Sequence, residues 1–360
     1  MKQKVSNLQV ILLVANLIFS STVISLPQII VQVGGQNAWL IPLLLLPIII
    51  LIIFFIFGKT RNAEQLIHLF SIGRKRNFWE TAFVVVFLLT IILVFLRDLR
   101  GAVDFIATVL LPSTPIDIMT VLSVLVVAYI ASAGLEVVLR VNALHFVILA
   151  LVVVMLPLFL MNEFEFRNLQ PLPGLKTLKT LIIGILFAFS WVGEIVLSLI
   201  MVASIHPIKQ ARKSVMIGAV LGILLFGLVL FVEVGVLGTK IVREATYPSF
   251  IMIQQINWTD FLDRLDPIIV VVWLPTILTK IAYLLYALNH CLSYLYKSNT
   301  NKFLLPISLI FAYLSILFFK NNMDHLHFSF YTWSSLGFVL EVLIMGMFFI
   351  VRKMAKKHHT

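Results

Sequence analysis

The run from Leu178 to Met201 most restricts what this chain can become. It is apolar and long enough to cross a hydrocarbon core of about 30 Å as a helix. Yet Ser190, Gly193 and Glu194 stand at its midpoint. An ionised glutamate at that depth costs at least ~2.5–3.5 kcal/mol, so it faces a partner or a watered cavity. Gly193 permits a close helix contact or an unwound turn, and unwound backbone survives there only where it lines a cavity. Two readings stay open: a helix pair fastened through Glu194, or a discontinuous helix forming half of a solute site.

Apolar runs of this length recur along the chain. Hydrophobic residues make up 61% and charged residues 12% of 360, against about 25% charged in an ordinary soluble domain. The class is therefore an all-α polytopic membrane protein. About ten transmembrane helices are expected, near residues 8–33, 38–57, 79–99, 116–133, 143–161, 178–201, 214–237, 267–296, 303–319 and 333–351. Residues 1–360 then form one transmembrane permease-like domain, with no soluble domain beside it. The first span continues to about Val33 without a small-residue cleavage site, which reads as a retained helix rather than a signal peptide.

The net charge of +11 is a topology signal rather than a nucleic-acid footprint. With the N-terminus inside, inner segments hold 17 Lys and Arg and outer segments hold 9, with Lys280 left in the membrane. The positive-inside rule then puts both termini in the cytoplasm, with the lipid bilayer as a partner and no nucleic acid. The lone Cys291 offers neither an internal disulfide nor a redox motif. The chain has no phosphate-binding loop and no nucleophile with its base, and His325 and His327 are a weak metal signal. The expectation is no enzyme, no cofactor and no metal.

A second interruption lies in span one, where Ser20-Ser21-Thr22-Val23-Ile24-Ser25 precedes Pro27. Hydroxyls bond back to helix carbonyls, and proline removes a donor, so a kink or a break is expected. Span one opens the first five helices and span six the second five. Paired interruptions at corresponding places point to an inverted repeat, about 8–161 and 178–351, with a midplane site. The candidate ligand-binding residues are Ser20, Ser21, Thr22, Val23, Ile24, Phe189, Ser190, Trp191, Gly193 and Glu194. Lys280, well inside span eight, needs a carboxylate, carbonyls or water. It either fastens helices through Glu194 or Glu341, or its ammonium satisfies the oxygens of the span-one break as a bound cation would.

The remaining polar groups read more plainly. Arg97-Asp98-Leu99-Arg100 is expected as an interfacial charge cluster ending span three, with a direct ligand role as the alternative. Glu136 and Arg140, placed in the inner loop before span five, have the i, i+4 spacing of an ion pair. They are a solvated structural pair or a gate on the inner side. Gly218 and Gly222 form a Gly-x-x-x-Gly pair that predicts a close helix contact. The outer connection near 238–266 ends in Asp260-Phe261-Leu262-Asp263-Arg264-Leu265-Asp266, an amphipathic segment expected over the outer mouth.

Taken in order, these pieces resemble a family. They are the Ser/Thr-Pro stretch with Gly34-Gly35-Gln36-Asn37-Ala38-Trp39, then Gly134-Leu135-Glu136-Val137 with Arg140, and Phe189 to Glu194. Thr246-Tyr247-Pro248, Phe261 to Asp266, Trp273 and Lys280 follow. The chain resembles the endospore germination permeases, the B subunits of germinant receptors in the amino acid/polyamine/organocation superfamily. The resemblance implies a LeuT-like fold of five plus five helices with helices 1 and 6 discontinuous. It implies residence in the inner membrane of a bacterial spore and partnership with A and C receptor subunits. The function implied is binding of a small-molecule germinant, commonly an amino acid, to trigger germination. A proton-coupled amino-acid transporter is the alternative.

Overall fold

The computed structural model describes residues 5–57, 77–171, 174, 177–202, 210–256, 266–297 and 300–357. The inner loop from Lys59 to Arg76, Lys209 and the outer segment from Asp260 to Arg264 lie outside the described residues, as does the Ser25 side chain. The helices are α1 (Asn7–Gly34), α2 (Leu40–Phe57), α3 (Phe78–Phe105), α4 (Ile116–Ser132), α5 (Leu135–Phe159), α6 (Thr177–Val192) and α7 (Leu199–Val202). They continue with α8 (Ala211–Glu244), α9 (Pro248–Ile253), α10 (Asp266–Tyr296), α11 (Leu304–Phe318), α12 (Asn322–His327) and α13 (Trp333–Lys357). Among the described residues, nine helical segments are long and apolar enough to cross a membrane, and α4 is a shorter apolar tenth.

Burial separates centre from rim. In the α1 window Asn7–Ile24, 78% of residues are buried, against 22% for Asn301–Phe318. So α1 is the core helix, with α5, α6, α8 and α10 packed around it, while α11 presents its leucines and phenylalanines outward. A helix apolar all round belongs in such a core or in lipid. Gly218 and Gly222 on α8 are why the two backbones come so close. A Cβ on Gly222 would stand 2.8 Å from the Ala15 carbonyl oxygen, and one on Gly218 would reach that of Ile11. The expected close contact is therefore made with α1.

The expected discontinuity of helix 1 is corrected by the structure: α1 is helical without interruption from Asn7 to Gly34, through Ser20–Ile24 and past Pro27. Each feature that argued for a break has been satisfied locally. Ser20 Oγ donates to the Asn16 carbonyl and Thr22 Oγ1 to the Ile18 carbonyl, both at 2.8 Å. Pro27 has no N–H for the carbonyl four residues back, that of Val23. Ser249 on α9 supplies the missing donor, its Oγ lying 2.5 Å from the Val23 oxygen. Helix 6 does change at the expected place, but it tightens instead of unwinding. α6 ends at Val192, Gly193–Ser198 is a 3₁₀ segment, and α7 resumes the course.

Two placements also shift. Arg97, Asp98 and Arg100, expected at an interface, are 1%, 4% and 3% exposed, because α3 runs on to Phe105 and a π-helical turn, Ile106–Leu110. Glu136 and Arg140 lie in the first turns of α5 rather than in a loop, since Gly134, at φ 91°, begins the helix early. They pair at 2.5 Å with Arg140 68% exposed. The bond spans one turn of one helix, whereas a gate needs two elements.

Candidate functional site

Four charges meet between the interrupted sixth span and its neighbours. Arg97 and Asp98 come from α3, Glu194 from the 3₁₀ segment and Lys280 from α10. Arg97 Nη2 donates to Asp98 Oδ1 at 2.5 Å and to Glu194 Oε1 at 2.6 Å, and Arg97 Nε donates to Asp98 Oδ1 at 2.9 Å. Lys280 Nζ lies 2.7 Å from Glu194 Oε2 and 2.9 Å from Asp98 Oδ2. Each carboxylate thus bridges both cations in a closed, neutral ring. All four side chains are at most 1% exposed. Desolvating so many charges is repaid only by short, well-directed bonds of this kind, and removing one member leaves an uncompensated charge.

The third donor of Lys280 goes to Ser21 Oγ, 2.6 Å away on α1. Lys280 thus pairs with Glu194 and donates to a hydroxyl of α1. It does not pair with Glu341. That buried carboxyl on α13 has no hydrogen-bond partner on either oxygen and lies against Gly193, where an added Cβ would overlap it. Gly193 is what lets α13 approach the 3₁₀ segment.

Arg97 is held flat between two indoles. Its Cζ is 4.1 Å from the Trp191 ring centroid and 4.7 Å from that of Trp333, a cation–π arrangement that orients the guanidinium. Trp333 Nε1 donates to the Ser190 carbonyl at 3.0 Å, fastening α13 to α6. His325 Nε2 lies 3.1 Å from the Arg97 carbonyl, and Arg100 pairs with Asp104 at 2.8 Å. Beside this shell, burial pushes the Tyr247 phenol up to about 12, so it stays a neutral donor, packed edge-on against Phe105 at 5.1 Å.

One cavity adjoins the ring, and a second shares two lining residues with it. The first, of about 20 Å³, is lined by Ser21, Arg97, Asp98, Trp191 and His325 among others. Arg97 Nη1 and Trp191 Nε1 are buried donors without a partner among the described residues. The other, about 40 Å³, is apolar except for Ser249 and lies among α1, α3, α5, α8, α9 and α10. Ile24 and Trp273 line both cavities, and Trp273 is fixed by its Nε1 donating to the Ser20 carbonyl at 2.8 Å.

The ten candidate residues thus divide. Ser21, Ile24 and Trp191 line the charged cavity and Val23 and Ile24 the apolar one, while Glu194 belongs to the ring. Gly193 shapes the approach of α13. The hydroxyls of Ser20 and Thr22 are committed to α1 carbonyls, and Ser190 Oγ to the Phe187 carbonyl at 3.0 Å. Phe189 packs edge-on against Phe338 at 5.3 Å. Sequence reasoning missed Trp333 and His325 as neighbours of the site and put Arg97 and Asp98 at an interface before a ligand role. One signal was present: the apolar run continues past Arg100 through Ala102, Val103, Phe105 and Ile106, so those charges lie within a span and not at its end.

The profile of the spore germination protein family matches residues 4–324. The chain belongs to that family. Two relatives come from Bacillus subtilis (strain 168). Spore germination protein YfkT is 29% identical over 248 residues, 68% of this chain and 68% of its own length. Spore germination protein KB is 26% identical over 240 residues, 64% of this chain and 63% of its own length. The matched span includes every residue of the charge ring and both cavities' linings on α1 to α10. The charge ring thus belongs to a member of the spore germination protein family whose described residues include nine helical segments long and apolar enough to cross a membrane.

Proposed function

We propose that this chain is the B subunit of a spore germinant receptor, binding a small nutrient, in the first place an amino acid, to trigger germination. The observation that carries the reading is the pair of unpartnered buried donors, Arg97 Nη1 and Trp191 Nε1, on residues lining the charged cavity. Donors left unpaired in a dry interior are costly, and a carboxylate satisfies both. Asp98 and the Ser21 oxygen, on the same cavity, are acceptors for an ammonium. The apolar chamber beyond Ile24 and Trp273 matches an aliphatic side chain in polarity. The ligand site is therefore revised from span one and span six alone to Ser21, Ile24, Arg97, Asp98, Trp191 and Trp273.

By the same reading the chain works in the spore inner membrane with A and C subunits. Both termini are cytoplasmic. Two of the nine basic residues assigned to the outer side, Arg97 and Arg100, are buried, which sharpens the inner excess of positive charge. The two halves, about 8–161 and 178–351, form a LeuT-like pair of repeats in which Lys280 takes the place of a bound cation.

The test is a thermal-shift screen of the purified full chain against L-amino acids and the amines that lack their carboxylate. Ligand at a hundred times its Kd stabilises the folded state by about 2.7 kcal/mol. Aliphatic amino acids are expected to raise Tm and their amines to leave it unchanged; no shift with any amino acid would end the reading. Uptake of labelled amino acid into liposomes, without a requirement for partner subunits, would instead establish the proton-coupled transporter.

A further inference from the structure

Glu233 takes no part in the charge ring, yet it is fully buried near the outer end of the α8 span. Among the described residues no ion pair includes it. Its contact is with Ser249 on α9, whose Oγ lies within hydrogen-bonding distance of Glu233 Oε1. The same Oγ is 2.5 Å from the Val23 carbonyl oxygen, the one left without its helix donor by Pro27. Three oxygens therefore stand in a row: carboxyl, hydroxyl, carbonyl.

A hydrogen bond between two oxygens needs a proton between them, and this row has two such contacts. The carbonyl brings none and the hydroxyl brings one. If Ser249 gives its proton to Glu233, two lone pairs face each other at 2.5 Å between Ser249 and Val23. If Ser249 gives it to Val23, the proton in the other contact must come from the carboxyl. Only the second arrangement satisfies both contacts. The second carboxyl oxygen, Oε2, has no partner, which suits a neutral acid better than a carboxylate sharing its charge over both oxygens.

We infer that Glu233 is a resident proton site: held as the neutral acid, it donates to Ser249 Oγ, and this leaves the hydroxyl proton for the Val23 carbonyl. The ligand is a proton, and what it holds is the continuity of α1 across Pro27. Losing that proton turns the Ser249 hydroxyl toward the carboxylate and frees the Val23 carbonyl. Val23 and Ser249 also line the apolar chamber, so the same event alters a wall of that cavity. The groups facing the acid are Ser249 from α9 and, through it, the α1 backbone, with no basic side chain hydrogen-bonded to it among the described residues. The inference does not depend on which nutrient the chain binds.

Infrared difference spectroscopy of the full chain in lipid nanodiscs at neutral pH tests it. Subtracting the Glu233→Gln spectrum from that of the unmodified protein isolates this carboxyl from the others, Glu341 included. The expected result is loss of one carboxylic-acid carbonyl band, which in the unmodified protein moves on exchange into deuterated water. Loss of a carboxylate band instead, with the acid bands unchanged, would overturn the inference. Should Glu233→Gln not fold, Ser249→Ala keeps the acid and removes its acceptor. Its acid band should then move to higher frequency, and an unmoved acid band would overturn the inference equally.

Discussion

The first and sixth spans carry the two interruptions, and they resolve them in opposite ways. α1 contains a proline and stays helical for 28 residues; the sixth span contains no proline and passes into a 3₁₀ segment at Gly193. Around α1 the missing bond is replaced by a neutral group, a serine hydroxyl from α9. Around Gly193 the neighbours are charged, and the backbone bends its geometry to deliver Glu194 to Arg97 and Lys280. What decides whether a membrane helix keeps its form is therefore the group that stands across from the weak point, more than the residue that creates it.

The sharpest way to break this comparison is to remove a charge from the ring. Lys280→Met leaves two carboxylates facing Arg97 alone and should cost about 3–5 kcal/mol, read as a loss of Tm in detergent, together with loss of ligand response. Adding Glu194→Gln restores neutrality and should recover part of the stability. Unaltered stability and response in Lys280→Met would remove the ring from both structure and function.

Next comes the backbone of the sixth span. Gly193→Ala drives a methyl into the Glu341 carboxyl, and overpacking of this kind costs about 1–3 kcal/mol. Chemical unfolding of Gly193→Ala and of the double variant with Glu341→Ala compares the two; the double variant should regain most of the loss if Glu341 is the group displaced. Equal losses in both would mean that the 3₁₀ geometry, and not the neighbour, requires the glycine.

On α1, Ser249→Ala leaves the Val23 carbonyl unpaired and should cost about 1–3 kcal/mol. In a Pro27→Ala background the residue at 27 has an N–H for that carbonyl, so the same change should cost less than half as much. A double-mutant cycle measures the difference directly, and strict additivity would show that Ser249 does not repair the proline site. The smallest effect belongs to the pair at the start of α5. Arg140→Ala removes an exposed i, i+4 bond worth at most about 0.5 kcal/mol, and ligand response should be unchanged; a lost response would restore Glu136 and Arg140 as a gate.

The helical, membrane-spanning class was legible in the sequence because hydropathy over twenty residues is a local property, and bilayer thickness sets its length scale whatever the tertiary arrangement. The same holds for the Gly218–Gly222 contact surface and for the i, i+4 pairing of Glu136 with Arg140. Family membership was legible too, from motifs in fixed order. Lys280 and Glu194 stood out as charges in apolar runs that each had to find a partner.

Which partners they found, only the tertiary structure decided. Arg97 meets Glu194 across 97 positions of sequence and Lys280 meets Ser21 across 259, and hydropathy carries no information about pairing over such distances. The continuity of α1 is the same case. Sequence alone shows that Pro27 takes a hydrogen bond from the Val23 carbonyl, but not that Ser249, 226 positions away, returns one. A local pattern states what a helix lacks, and packing determines what supplies it.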